Sequence, residues 1–347
     1  MERAMSLKTK ISRVIIIFFL LFLSPVRVFP CSAFADFSKD PIYGFNFDSM
    51  DFDLRFMFYK GRGSDIFAFE FFQDNNWVRM THMTSDGLFT SGGLLLFPSR
   101  AVVSGSSEND LALWKTTYWV YDSSTLDDIV TRLSGVRLVD DGIRCHNMFA
   151  DPSGAVTVEA TVDGNYVKHA PRGGYAVLTN FALAQFEGKD MENMYGLGDN
   201  RYRTAVREIE ALRNSGSMSV DEGMKILRAV KQDAGDWKTR CSLVLNPMDL
   251  TIRIALQRNW EKTYTFSLKD RTVKADWEGA GGHTAKIGKK GVTAAELASW
   301  QNDDPADDWK GSSDTLPIVA GILFTFAAAG GISLITIRRL RKSKGNL

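Results

Sequence analysis

Cys31 sits in the stretch Arg27 to Asp36, RVFPCSAFAD, directly after a short apolar run, and it can offer more chemistry than any other single residue. If the chain is cut immediately before it, one residue carries both a thiol and a free α-amine. The amine's ordinary pKa of about 7.7 to 8.0 lies close to the thiol's of about 8.5, so near neutral pH the amine can take the thiol proton directly or through a water. Nucleophile and base then belong to the same residue. A competing cut exists, because Ala33-Phe34-Ala35 fits a signal-peptidase site, and cleavage there discards Cys31 and leaves Asp36 first. Pro30 is a poor residue to cut after, so a chain starting at Cys31 requires cleavage upstream followed by trimming, or self-cleavage. Other chemistries lack their patterns. The chain has no Gly-x-Ser-x-Gly, no phosphate-binding glycine loop and no Cys-x-x-Cys, and His82, His146, His169 and His283 lack the His-x-x-x-His spacing of a zinc site. Cys145 and His146 are neighbours, but adjacent residues of a strand point to opposite faces, which argues against a dyad.

Several spaced pieces together resemble the N-terminal-nucleophile hydrolases of the choloylglycine hydrolase, penicillin V acylase and linear amide hydrolase family. Cys31-Ser32-Ala33-Phe34 resembles the family's opening strand, and Gly44-Phe45-Asn46-Phe47-Asp48 its Gly-Arg-Asn-x-Asp turn. Asp86-Gly87-Leu88 with Leu96-Phe97-Pro98 is similar to its "GL…GLNFP" segment, and Ser123 to Leu126 to its capped helix. His146 to Glu159 resembles a family hairpin, Leu178-Thr179-Asn180 the "LTN" segment, and Asn200-Arg201-Tyr202 a helix start. The resemblance spans Cys31 to Leu268. It implies a four-layer αββα sandwich and hydrolysis of a linear amide carbon-nitrogen bond in a small N-acyl amide, with no metal or organic cofactor. It also implies roles: Cys31 as nucleophile and, through its amine, base; Asp48 holding that amine; Asn180 donating to the oxyanion; Arg201 bracing both Cys31 and Asp48. Asn46 reads as a turn residue.

Two positions depart from the family pattern. Phe45 stands where the family has an arginine, and Leu96 where it has the asparagine of "GLNFP". The first removes a cation near the thiol unless Arg55, Arg62 or Arg203 replaces it in space. The second removes an oxyanion donor, leaving a backbone N–H beside Cys31 to share that task with Asn180. Two rivals follow: an acyltransferase on the same scaffold, and a catalytically inactive anchored binding protein.

The elements that must position these residues read as α+β. Strand candidates are Leu54 to Tyr59, Ile66 to Phe72, Ala155 to Val162, Ala176 to Thr179, Ser242 to Leu245 and Thr251 to Leu256, rich in β-branched and aromatic residues. The phenylalanines between Phe56 and Phe72 read as core, some of them as the lining of an acyl-chain pocket. Ser124 reads as an N-cap before the stripe Leu126, Ile129, Val130 and Leu133. Ser219-x-x-Glu222 and Thr293-x-x-Glu296 are capping boxes. Leu111 to Tyr121 is ambiguous between strand and helix periods.

Both ends point to a membrane. Residues 1–30 carry a basic start, an apolar run from Val14 to Leu23 and a cleavage region, the layout of a signal peptide. A hydrolase domain over 31–300 and a polar linker over 301–315 lead to an uncharged run over 316–337, long enough for a spanning helix. The basic tail over 338–347, with Arg338, Arg339, Arg341, Lys342 and Lys344, should stay cytoplasmic, which puts the domain outside, periplasmic or extracellular. Signal peptidase or self-processing is then a partner, with the oligomeric state, a homo-oligomer included, left open. The 347 residues are 44% hydrophobic and balance 42 Lys+Arg against 41 Asp+Glu, so nothing suggests nucleic acid. Cys31, Cys145 and Cys241 are too few for a disulfide framework; Cys145 and Cys241 either pair or stay as buried thiols.

Overall fold

The computed structural model describes residues 31–94, 107–141, 144–216, 218–278 and 282–301. The expected signal segment, Leu96 with its segment, and the candidate membrane span lie outside the described residues. Among the described residues no helix is long and apolar enough to cross a membrane.

Strands dominate. In chain order they are β1 (Ser32–Asp36), β2 (Ile42–Ser49), β3 (Leu54–Lys60), β4 (Asp65–Gln73), β5 (Asn76–Thr84) and β6 (Phe89–Leu94). Next come β7 (Asp110–Ala112), β8 (Arg137–Val139), β9 (Cys145–Asp151), β10 (Gly154–Thr161), β11 (Gly164–Pro171) and β12 (Tyr175–Leu178). The last are β13 (Lys238–Asn246), β14 (Thr251–Leu256), β15 (Thr263–Ser267), β16 (Thr272–Ala275), β17 (Thr284–Lys286) and β18 (Val292–Thr293). The α-helices are α1 (Leu126–Leu133), α2 (Asp199–Ser215), α3 (Val220–Ala229) and α4 (Ala294–Ser299).

Two eight-stranded antiparallel sheets carry the fold. The first runs β12-β1-β2-β13-β14-β15-β16-β17, the second β11-β10-β9-β6-β5-β4-β3-β18. Helices α2 and α3 cover the first sheet, while α1 and a 3-10 helix over Leu113–Tyr121 cover the second. This is the αββα layering.

Alternation along β2 shows how the sequence builds the layers, since successive side chains of a strand face opposite ways. Tyr43, Phe45 and Phe47 face the second sheet: Tyr43 stacks on Phe89, and Phe45 and Phe47 both meet Phe69. Across the same layer Phe266 of β15 meets Phe56, Phe58 and Phe67. These rings are core, buried to 6% exposure or less. Gly44, Asn46 and Asp48 face the helices instead. A Cβ on Gly44 would lie 2.0 Å from the Phe34 ring, so glycine here makes room for an aromatic on the paired strand. The turn reading of Gly44 to Asp48 is therefore corrected: these residues form an inner strand. Asn46 is a buried strand residue whose amide donates to the Leu227 carbonyl at 2.8 Å and whose oxygen accepts from Ser242 at 2.7 Å. What misleads is a polar pattern suited to a turn, satisfied here by α3 and β13.

Elsewhere the caps behave as read at Ser219 and Thr293, both with complete capping boxes. The first helix starts one residue later than read, with Thr125 as N-cap and Asp128 reaching back. The ambiguous segment divides into the short strand β7 and the 3-10 helix. Cys145 and Cys241 are free buried thiols.

Phe69 touches rings from both sheets, and truncating it leaves a void that neither can close. Phe69→Ala should lower stability by about 3 to 5 kcal/mol, read as a reduced urea midpoint with unchanged slope.

Candidate active site

Strand β1 lies between β12 and β2, with Ala33 opposite both Leu178 and Phe45. Cys31 immediately precedes it and is 2% exposed. Helix α2 begins beside this strand end, and its third residue, Arg201, reaches across to it. The Arg201 guanidinium donates through Nη1 to the Cys31 carbonyl at 3.0 Å and to Ser32 Oγ at 2.6 Å. The same nitrogen lies 3.4 Å from Asp48 Oδ2, and Nη2 donates to Asn180 Oδ1 at 2.5 Å. Asp48, Asn180 and Arg201 thus meet at Cys31, although they are drawn from β2, the loop after β12, and α2.

Each contact has a chemical consequence. A guanidinium only donates, so Asn180 must turn its oxygen to Arg201, and its NH2 group points away from the guanidinium. Asp48 Oδ1 accepts from Thr239 Oγ1 at 2.5 Å, and Thr239 in turn accepts from the Gln232 N–H at 2.8 Å. The carboxylate is thereby fixed from both sides. Arg201 itself fits only because Gly198 precedes it: Gly198 sits at φ +82°, and a Cβ there would lie 2.5 Å from Arg201 Nη2. Thr239 and Gly198 are absent from the sequence reading, and Ser32 enters it only as part of the opening strand. Gly196-Leu197-Gly198 ahead of a helix was a usable signal for Gly198; Thr239 had none, since its role depends on strand pairing across the chain.

Burial governs the electrostatics. It pushes the Cys31 thiol up to about 12, helped by the Asp48 charge and opposed by the Asp48 backbone N–H and Arg201. Burial likewise pushes Asp48 up to about 7, against the pull of Arg201 and the Thr239 hydrogen bond. Arg201 is lowered by burial and held up by Asp48. The cation acting on the thiol is Arg201, not a substitute for the missing arginine. Arg55 lies on the far face of the second sheet against Glu70, and Arg203 donates to the Met194 carbonyl and pairs with Asp199.

Cys145 and His146 do face opposite ways. Cys145 packs in the cluster of Phe149, Ile129 and Leu133, and His146 bonds Glu159 and the Thr179 carbonyl.

Solved structures share this arrangement of layers. A mutant of conjugated bile acid hydrolase from Clostridium perfringens superposes with a TM-score of 0.54 at 14% identity, covering 72% of this chain and 97% of that one. Penicillin V acylase from Agrobacterium tumefaciens gives 0.51 at 15% identity, covering 71% of this chain and 90% of the other. The fold of this chain is the one these two structures share. No protein-family model and no curated protein sequence matches the chain.

Removing Arg201 leaves Asp48 buried without its cation. Arg201→Met should cost about 3 to 5 kcal/mol at pH 8. The folded state holds the Asp48 proton more tightly than the unfolded chain does, so this carboxyl favours folding most below its unfolded pKa of about 4, and that contribution is lost as pH rises through its folded value. The variant raises that folded value further. Its deficit relative to the native chain should therefore shrink from pH 8 to pH 5, checked by urea unfolding at both.

Proposed function

We propose that this chain is an exported, membrane-anchored hydrolase of linear amide carbon-nitrogen bonds that uses Cys31 as an N-terminal nucleophile. The observation that carries the reading is the single guanidinium of Arg201, which bonds the Cys31 carbonyl and Asn180 and pairs with Asp48 at once. A buried cation tying those three groups together has a purpose around a reacting thiol. The shared fold supports amide hydrolysis as the reaction type, since the neighbours are a conjugated bile acid hydrolase and a penicillin V acylase.

While Pro30 is attached, the Cys31 nitrogen is an amide and cannot act as a base, and the buried thiol keeps its proton. Cleavage before Cys31 frees the amine. It takes the thiol proton, and the sulfur attacks the acyl carbon of the substrate. Negative charge then develops on the carbonyl oxygen, where Asn180, oriented by Arg201, and a backbone N–H donate to it. Asp48 holds the α-ammonium, which passes its proton to the leaving amine. Water attacks the thioester, with the amine again as base, and releases the acid.

Retention of Cys31 has a structural argument. A cut after Ala35 would remove nearly all of β1, an inner strand paired on both sides, and leave β12 and β2 without their partner. The leader and the 316–337 span supply export and anchorage in this reading.

N-terminal sequencing of the processed protein should begin at Cys31; a start at Asp36 overturns the proposal. Cys31→Ser should reduce turnover of a chromogenic N-acyl anilide by about a hundredfold or more. Asn180→Ala should cost roughly 100- to 1,000-fold in kcat, the usual loss for one oxyanion donor. Full activity in Cys31→Ser would exclude this nucleophile.

A further inference from the structure

Two buried ionisable residues on the second sheet take no part in the reaction above, yet both grip the loop that carries Asn180. His146 of β9 and Glu159 of β10 are cross-strand partners, 0% and 1% exposed. His146 Nδ1 faces Glu159 Oε1 at 3.1 Å, and Nε2 lies 2.6 Å from the Thr179 carbonyl. A carbonyl oxygen only accepts, so Nε2 carries the hydrogen and donates it. Glu159 accepts the Leu183 N–H through Oε1 at 2.8 Å and the Ala184 N–H through Oε2 at 3.0 Å. The pair therefore holds the backbone on both sides of Asn180, at the residue before it and at the third and fourth residues after it. Gly93 leaves the space for this: a Cβ there would stand 3.3 Å from His146 Nε2 and 3.7 Å from the Thr179 carbonyl.

We infer that His146 and Glu159 are positioning residues: a clamp from the second sheet that fixes the Thr179 to Ala184 loop and so sets where Asn180 presents its amide. The inference rests, for its catalytic meaning, on the reaction proposed above. The geometry divides the labour. Arg201 fixes which end of the Asn180 amide points outward, and the clamp fixes where its backbone stands. An oxyanion donor misplaced by about 1 Å can lose roughly a hundredfold in rate, so a backbone holder matters as much as a side-chain holder.

The test uses the processed protein and an N-acyl anilide. Asparagine keeps a polar group near the Nδ1 position of histidine, and glutamine keeps an N–H near the Nε2 position. His146→Asn should therefore lower kcat by about 10- to 100-fold with KM little changed, and His146→Gln should recover most of it. On an Asn180→Ala background His146→Asn should add almost no further loss, because its effect runs through that side chain. Hydrogen exchange by mass spectrometry supplies the second readout: in His146→Asn and in Glu159→Gln the amides of Phe181 to Ala184 should exchange about tenfold faster while β9 and β10 stay protected. Native protection of that loop in either folded variant, or a His146→Asn loss undiminished in the Asn180→Ala background, overturns the clamp. Exchange reads it even where Cys31→Ser turns over as fast as the native chain, a result that overturns the reaction and not the clamp.

Discussion

One guanidinium organises the site, and its position constrains everything around it. Arg201 is 6% exposed, and a buried cation is tolerated only where each of its donors finds an acceptor and its charge a counter-charge. Ser32, the Cys31 carbonyl and Asp48 at Nη1 and Asn180 at Nη2 supply acceptors and counter-charge, and in doing so they are gathered around the backbone of Cys31. Planar donation from two nitrogens is what allows a single side chain to reach a strand backbone, a carboxylate and an amide at once; a lysine, as a point charge, would not.

The aromatic layer between the sheets packs against the strand that carries Asp48. Phe45 stands where the resembled family has an arginine, and here it packs against Phe69 with 0% exposure. An aromatic side chain here makes this position of β2 part of the core between the sheets. The charge balance at the thiol then falls to Asp48 and Arg201, a pair that is neutral overall. Phe45 also ties β2 to the second sheet, which is the sheet that supplies His146 and Glu159.

Much of this was legible in the residues, and what was not has a common cause. Capping boxes at Ser219 and Thr293 are local, so spacing alone found them. The strand Thr251 to Leu256 was equally local, set by its β-branched composition. Resemblance to a family brought Cys31, Asp48, Asn180 and Arg201 into one proposal, which neither periodicity nor composition could do. Asn46 misled because its amide is satisfied by Leu227 and Ser242, far along the chain, and no local rule anticipates partners at that distance. The hydrogen bonds of Thr239 and Glu159 stayed unread for the same reason: each is made only after the sheets have paired.

Cleavage before Cys31 would change the electrostatics of the site as well as its covalent structure. In the uncut chain the neighbourhood holds one carboxylate and one guanidinium around a neutral thiol whose pKa burial has pushed up to about 12. A freed amine adds a titratable cation on the same residue as the sulfur, and a cation beside a thiol favours the thiolate. The same cation favours the charged form of Asp48, whose carboxyl burial otherwise holds at about 7. Thiol and carboxyl would therefore shift toward their charged forms together on one peptide-bond cleavage. The burial that keeps the uncut thiol protonated is then the same property that makes the new charge effective, because a low-dielectric site screens it least.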